Sequence, residues 1–453
     1  MTPAKPNALS GAERYFQAAV RAQRAGDLDK AAGLYGKALA LAPNDYRAYN
    51  NLGIVLLRKD SLGSASAALA RSVDLNPENP VALYYLGKVK RSLGRPKEAE
   101  DAFRRALALD PNYVSAHFEL GNVLNDTARF DEAIACYDKA LGLDPNFMDA
   151  RWPRILALFR KGDLGAAFAD YEARFMRGDC KPRKLKQPLW DGSALSGKTI
   201  LLHHEQGLGD TIQFCRYAKL VAARGGRVVL GCQQRLHRLL SSVQGVSQIV
   251  VPGDRFRLDC HAPLLSLPRI FKTELDSVPC EVPYISPSPD ARFRLRANPG
   301  ARVNIGIVWA GNPKNNNDPN RSVPLEYFLS LAEISGVNLY SLQFGERSSD
   351  IERLGASALV RDLSEEVAEF TETAAAMTRL DLVISVDTVA AHLAGALSRP
   401  VWVPLCFNPD WRWVHGQSKS PWYPSMRLFW QSAPGDWEGV FERIKEALVQ
   451  EFV

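Results

Sequence analysis

Small, aromatic and proline positions recur every 34 residues from the start of the chain to about residue 174. Pro43, Pro77, Pro111 and Pro145 keep this step, as do Ala31, Ala65, Ala99, Ala133 and Ala167. Tyr35, Leu69, Phe103, Tyr137 and Tyr171 hold a second register, and Gly53, Gly87 and Gly121 a third. Each period predicts two helices: the alanine lets them approach, the large side chain fills the groove between repeats, and the proline ends the second helix. From Lys198 onward the pattern changes to short apolar runs alternating with helical faces. It predicts strands at 199–202, 227–231 and 248–251, a shorter element at 264–267, and helices after the first strand and at 235–243. A passage bearing Pro279, Pro283, Pro287 and Pro289 separates these from a second series. That series predicts strands at 304–309, 339–343, 382–385 and 401–405, with helices at 325–335, 369–378 and 389–397. Trp437, Val440, Phe441, Ile444 and Leu448 give a closing helix one apolar face.

A period of about 34 with those residues at fixed offsets resembles the tetratricopeptide repeat (TPR). The first repeat, 12–45, has Ala19 where others carry glycine, and the fifth, from Met148, stops near Arg174 without its proline. The resemblance implies an α-solenoid over 1–178, with four full repeats and a partial fifth, that receives a protein or peptide partner. Asn50, Asn51, Tyr84, Tyr85, His117 and Asn122 fall on first helices and could line its concave face; a solvated surface explains them equally well. A basic linker follows at 179–197, with Lys181, Arg183, Lys184 and Lys186. The two later series predict Rossmann-like α/β halves at 198–290 and 300–433, then the amphipathic helix at 434–453.

Composition narrows the class. The 453 residues suit two or three domains, and 56 Lys and Arg against 50 Asp and Glu leave a net charge of only +6. No basic or aromatic-basic cluster argues for nucleic acid. Seven cysteines without a C-x-x-C pair read as reduced thiols and favour a cytoplasmic location. No signal-peptide core and no apolar run of membrane-spanning length is present.

The loop Gly207-Leu208-Gly209-Asp210 lies between the first strand and its helix, where open α/β sheets bind ligands. Ile212 replaces the third glycine of a dinucleotide fingerprint, and the second strand ends in Gly231-Cys232-Gln233 without an acid, which argues against a nicotinamide enzyme. Neither a P-loop nor a G-x-S-x-G elbow occurs. The run Ser385-Val386-Asp387-Thr388, then Val389-Ala390-Ala391-His392-Leu393, starts a helix directly after a buried strand and suits a phosphate.

Together with the upstream G-x-G-D loop, this D-T-x-x-x-H-L pattern resembles the ADP-heptose heptosyltransferase group of GT-B glycosyltransferases over roughly 198–432, and repeats in front of such a unit resemble the architecture of O-GlcNAc transferases. The resemblance implies a GT-B-like pair of domains and a nucleotide-sugar donor as substrate, with no other cofactor. It implies that Asp210 is the general base of an inverting transfer. It assigns Asp387, Thr388 and His392 to the donor, with Gly311, Asn312, Lys314 and Arg321 beside the leaving phosphates, and Glu205, Gln206, Gly207 and Gly209 to the acceptor-side loop. Glycosyl transfer needs a base and stabilisation of the leaving diphosphate, and without an Asp-x-Asp pair a metal-free site is the consistent choice. Each residue also has a plainer role: Asp210 with Gln213 as a capping-box start, Asp387 and Thr388 as caps, His392 as a core residue, Arg321 as a surface charge. The tryptophans of 407–413 and 420–424 read as domain-packing anchors or as stacking platforms. Two rival functions stay open beside the transferase: a non-catalytic TPR scaffold with a degenerate α/β part, and a sugar-nucleotide epimerase. A homo-oligomer is also left open.

Overall fold

The computed structural model describes residues 10–178, 180–291, 293–295, 302–315, 317–367 and 369–452. The expected linker start at 179 and the expected start of the second half at 300 lie outside these residues, as do the first nine residues of the chain and residue 453. The chain divides into two compact units, Met1–Ala157 and Leu158–Val453.

The first unit is a helical solenoid. Its helices are α1 (Gly11–Arg24), α2 (Leu28–Leu41), α3 (Tyr46–Arg58), α4 (Leu62–Leu75), α5 (Pro80–Ser92), α6 (Pro96–Leu109), α7 (Val114–Asp126) and α8 (Phe130–Leu143), followed by α9 (Met148–Lys161). Starts are fixed by side chains that accept orphan backbone N–H groups, as Asp27 does from Lys30 at 3.2 Å and Asn79 from Val81 at 3.1 Å. The periodic alanines and the large residues of the second helices are fully buried. The glycine register has a definite use: a Cβ on Gly87 would lie 2.7 Å from the Phe103 ring, and one on Gly121 would lie 2.6 Å from Tyr137. Each ring therefore sits on the glycine of its own repeat. The buried phenols are also satisfied, Tyr35 by Gln23 at 2.6 Å and Tyr137 by Asn122 at 2.9 Å. Of the six residues expected on the concave face, Asn50 and Tyr84 are buried, and Tyr84 packs in an aromatic cluster with Tyr85, Phe103 and Tyr113. The other four are half-buried.

The second unit opens with the last turn of α9, then α10 (Leu164–Asp170) and a tight helical turn at Tyr171–Met176. Trp411 stacks on Phe159 with centroids 4.0 Å apart and meets Phe168 edge-on at 5.9 Å, so the part of the fifth repeat from Leu158 onward is packed into the α/β core. Trp411, Trp413 and Trp422 are all buried, which fits packing anchors.

Two parallel sheets follow. The first contains β1 (Thr199–His203), β2 (Arg227–Gly231), β3 (Val246–Val250) and β4 (Cys260–Pro263) in the order β3-β2-β1-β4. The second contains β5 (Val303–Val308), β6 (Val337–Ser341), β7 (Val360–Asp362), β8 (Leu382–Ser385), β9 (Val401–Leu405) and β10 (Met426–Trp430) in the order β10-β9-β8-β5-β6-β7. Every pairing within the two sheets is parallel. Three strands were not anticipated. β4, Cys-His-Ala-Pro, carries no dense apolar run, β7 is only three residues long, and β10 follows a long aromatic passage that carries no strand signal. The element expected at 264–267 is the helical turn directly after β4. The closing helix runs Trp437–Phe452 and buries its predicted face in the core of the second sheet. Among the described residues no helix is long and apolar enough to cross a membrane.

Candidate functional site

In each sheet one strand marks a reversal of order: β1 lies between β2 and β4, and β5 between β6 and β8. Open α/β sheets bind ligands outside the carboxyl ends of strands at such points. Here the loops after β1, β5 and β8 line a single cavity of ≈ 830 Å³. It brings together Gln206, Gly207, Gly209 and Asp210 with Gly311, Asn312, Lys314, Arg321, Asp387, Thr388 and His392. Every site residue expected from sequence is on its wall except Glu205.

The β1 loop leads into α11 (Leu208–Phe214). Asp210 is the third residue of this helix, and its Oδ2 reaches back to accept the Gly207 N–H at 2.7 Å. It therefore closes the helix start from inside. Gln213, the expected partner in a capping box, instead accepts from the Arg412 Nε at 2.9 Å. The other oxygen of Asp210 accepts from the Arg412 Nη2, while Arg412 Nη1 donates to Asp410 at 2.5 Å. Arg412 is 8% exposed and its guanidinium lies over the Trp411 ring. Burial pushes the Asp210 carboxyl above its usual range, and Arg412 and the Gly207 N–H oppose that push. Burial also works against the Arg412 charge, but Asp210 and Asp410 outweigh it and hold the guanidinium firmly protonated. Gln233, at the end of β2, donates to the carbonyls of Gln206 and Gly207 at 3.0 and 3.3 Å and so fixes the loop.

Glu205 faces away from the cavity. Its carboxylate accepts from Arg174 Nη2 at 3.1 and 3.2 Å and from the Leu265 N–H at 3.3 Å, and the side chains of Arg174 and Glu205 are 1% and 4% exposed. Arg174 also donates to Ser266 at 2.7 Å and Glu172 at 2.8 Å. The expected acceptor-side role of Glu205 thus gives way to a structural one: a buried carboxylate needs a cation, and the tail of the fifth repeat supplies it.

On the opposite wall Thr388 caps the helix Val389–Ala396, accepting from the Ala390 N–H at 3.3 Å and meeting Ser385 Oγ at 3.0 Å. Asp387 is buried, and desolvation, helped by the nearby Asp410, raises its pKa to about 6. Arg321 donates to the Asp387 carbonyl at 2.9 Å and pairs with Asp318 at 3.2 Å, tying the β5 loop to the β8 loop. Gly311 N–H donates to Ser322 Oγ at 3.1 Å. His392 Nδ1 lies 3.1 Å from the Tyr423 hydroxyl and its ring stacks on Trp413 at 5.6 Å. Burial, aided by Arg412, Arg216 and Arg321, holds its pKa far below the usual value, so the ring is neutral. It also meets the other wall, since a Cβ on Gly209 would lie 2.9 Å from His392 Cδ2. Among the described residues no group of three or more His, Cys, Asp or Glu side chains is arranged to hold a metal ion.

Arg412 and Arg235 line the cavity without having been anticipated. The available signal for Arg412 was an arginine inside an aromatic run, since a cation buried among tryptophans requires a carboxylate.

The repeats and the paired parallel sheets define a two-part protein, a helical solenoid and an α/β unit that contains a cavity. The sequence model of the tetratricopeptide repeat matches residues 16–80, 61–114, 84–146 and 118–177, so the N-terminal region is a series of such repeats. Protein FlbA of Caulobacter vibrioides is 26% identical over 325 residues, covering 65% of this chain and 54% of FlbA. A match of that length cannot be contained in the repeats alone. The Cell division cycle protein 27 homolog of Caenorhabditis elegans is 44% identical over 57 residues, 13% of this chain and 7% of that protein. The chain therefore spans about half the length of one curated relative and a small part of the other. Among solved structures, MamA is 27% identical over 36% of this chain and 90% of its own, with a TM-score of 0.35. YrrB, described as a TPR protein with an unusual peptide-binding site, is 26% identical over 36% of this chain and 85% of its own, with a TM-score of 0.34.

Proposed function

We propose that the protein is a glycosyltransferase of GT-B type in which the solenoid holds a protein partner and the cleft binds a nucleotide sugar. The observation that carries this reading is the single cavity at the carboxyl ends of both sheets, where Asp210 faces the Thr388-capped helix and the loop of Lys314 and Arg321. Such a cavity suits a diphosphate against backbone N–H groups and cations, with a sugar toward Asp210. In this reading Asp210 accepts the proton of the acceptor hydroxyl as the bond to the anomeric carbon forms and the nucleoside diphosphate leaves. The protein is placed in the cytoplasm, in keeping with free thiols at Cys136, Cys215, Cys232, Cys260, Cys280 and Cys406.

A second reading, a protein-docking scaffold whose α/β part binds ligand without turnover, is favoured by Arg412, which already occupies the Asp210 carboxylate. The match to the tetratricopeptide-repeat model also supports the docking role. Purified protein incubated with a panel of nucleotide sugars distinguishes the two. The transferase releases nucleoside diphosphate, at least slowly to water, and Asp210→Asn loses that release by about a hundredfold or more while keeping donor binding. Donor binding without release by the wild type supports the scaffold, and absence of both binding and release rejects the nucleotide-sugar reading.

A further inference from the structure

Five cations line the cavity: Arg235, Lys314, Arg321, Arg347 and Arg412. Three are committed. Arg412 is held by Asp210 and Asp410, Arg321 by Asp318 and the Asp387 carbonyl, and Arg347 by Asp350 at 2.7 Å. Arg235 and Lys314 meet no carboxylate among the described residues. The two stand on different halves, Arg235 in the turn after β2 and Lys314 in the loop after β5.

The position of Arg235 is set by its surroundings. Its guanidinium lies 5.5 Å over the ring of Phe370, a residue of the other half that also lines the cavity. A ring face holds a guanidinium without neutralising it, so the positive charge is kept. Arg238, three residues on, provides the contrast, because Glu369, Glu372 and Asp290 all pair with it. Carboxylates are thus available at this seam, and the cation turned to the cavity is the one without them. On the opposite wall, the Lys314 backbone N–H is held by Asn312 Oδ1 at 3.0 Å, which fixes the loop while the ammonium stays exposed.

We propose that Arg235 and Lys314 form a clamp across the cleft for the diphosphate of the ligand, one cation from each half. The inference rests on the nucleotide-sugar reading and extends it, because it makes the half assigned to the acceptor a contributor to donor binding. In this clamp each of two linked phosphates meets one cation, whereas a monophosphate engages only one of the two. Arg235 presents a planar fork to phosphate oxygens and Lys314 a point charge. The clamp therefore selects diphosphates over monophosphates, and the identity of the base plays no part in that selection.

The test is isothermal titration of the full chain with ADP, GDP, CDP, UDP and dTDP and with the five matching monophosphates, at one fixed low ionic strength because exposed charges are screened by salt. The expected result is that at least one base binds about tenfold or more tightly as the diphosphate, and that Arg235→Gln and Lys314→Gln each remove most of that preference. Arg238→Gln, which lies outside the cavity, keeps it. Matching thermal unfolding curves establish that the variants are folded. A preference that survives in both Arg235→Gln and Lys314→Gln overturns the clamp while leaving the nucleotide-sugar reading intact. Wild-type protein that binds none of the ten nucleotides overturns both.

Discussion

The solenoid and the α/β unit are held together in opposite ways. In the solenoid one contact is made repeatedly: Leu69, Phe103 and Tyr137 each rest on the glycine of their own repeat, and the partners are 16 residues apart in sequence. In the α/β unit each decisive contact occurs once and joins distant segments, as Arg412 joins Asp210 across 202 residues and Arg216 reaches the Trp422 carbonyl across 206. Repetition spreads stability over many equivalent sites, so no single one is critical. Unique buried ion pairs concentrate it, because removing one partner strands the other.

The largest effect is accordingly expected at Arg174. Arg174→Met should cost about 3–5 kcal/mol in urea unfolding, because Glu205 and Glu172 lose their buried cation. Adding Glu205→Gln should recover part of this loss. Losses that simply add in the double variant would mean that the pair is uncoupled, and the contrast between the two units would fail.

In the solenoid, Phe103→Ala should cost about 3 kcal/mol, and Leu69→Ala and Tyr137→Ala should lie within about 1 kcal/mol of it, since all three fill the same groove. A spread much wider than that in the same denaturation series would show that the repeats are not equivalent. Tyr137 is the most informative member, because its hydroxyl also bonds Asn122.

A smaller effect concerns Asp387, whose folded pKa of about 6 lies above that of an unfolded aspartate. The folded state then holds this proton more tightly than the unfolded one, so its contribution is most favourable below about pH 4 and declines as pH rises toward 6. Asp387→Asn removes the decline. From pH 4 to pH 7 the variant should gain on the order of 1–2 kcal/mol relative to wild type, as read by thermal melts across pH. Parallel curves for the two proteins would mean that Asp387 is ionised at no cost.

The same contrast explains what could be read from the sequence. The repeat helices were legible because their contacts are local and periodic, and β1, β2, β5, β8 and β9 because a buried parallel strand is a dense apolar run. The gathering of the loops after β1, β5 and β8 at one cavity was in keeping with two successive α/β series and a family resemblance, whereas the strand order came only with the structure. The partner of each charge did not. Glu205 looked like a loop acid and became half of a buried pair, because nothing near it in sequence shows that Arg174 folds beneath it. Gln213 looked like a cap, and its true partner, Arg412, stands 199 residues away. Likewise Tyr84 occupies a position expected on an open face, yet three aromatic neighbours enclose it, Tyr85 from its own helix, Phe103 from α6 and Tyr113 from the turn before α7.

The contact between Gly209 and His392 carries one further consequence. The two halves of the cleft meet where one of them has no side chain, so their fit is defined by an omission. A half grafted from another protein would have to bring the same omission at the same place. The halves are therefore matched as a pair, and recombining them with foreign counterparts should fail at this seam even where both sheets fold well.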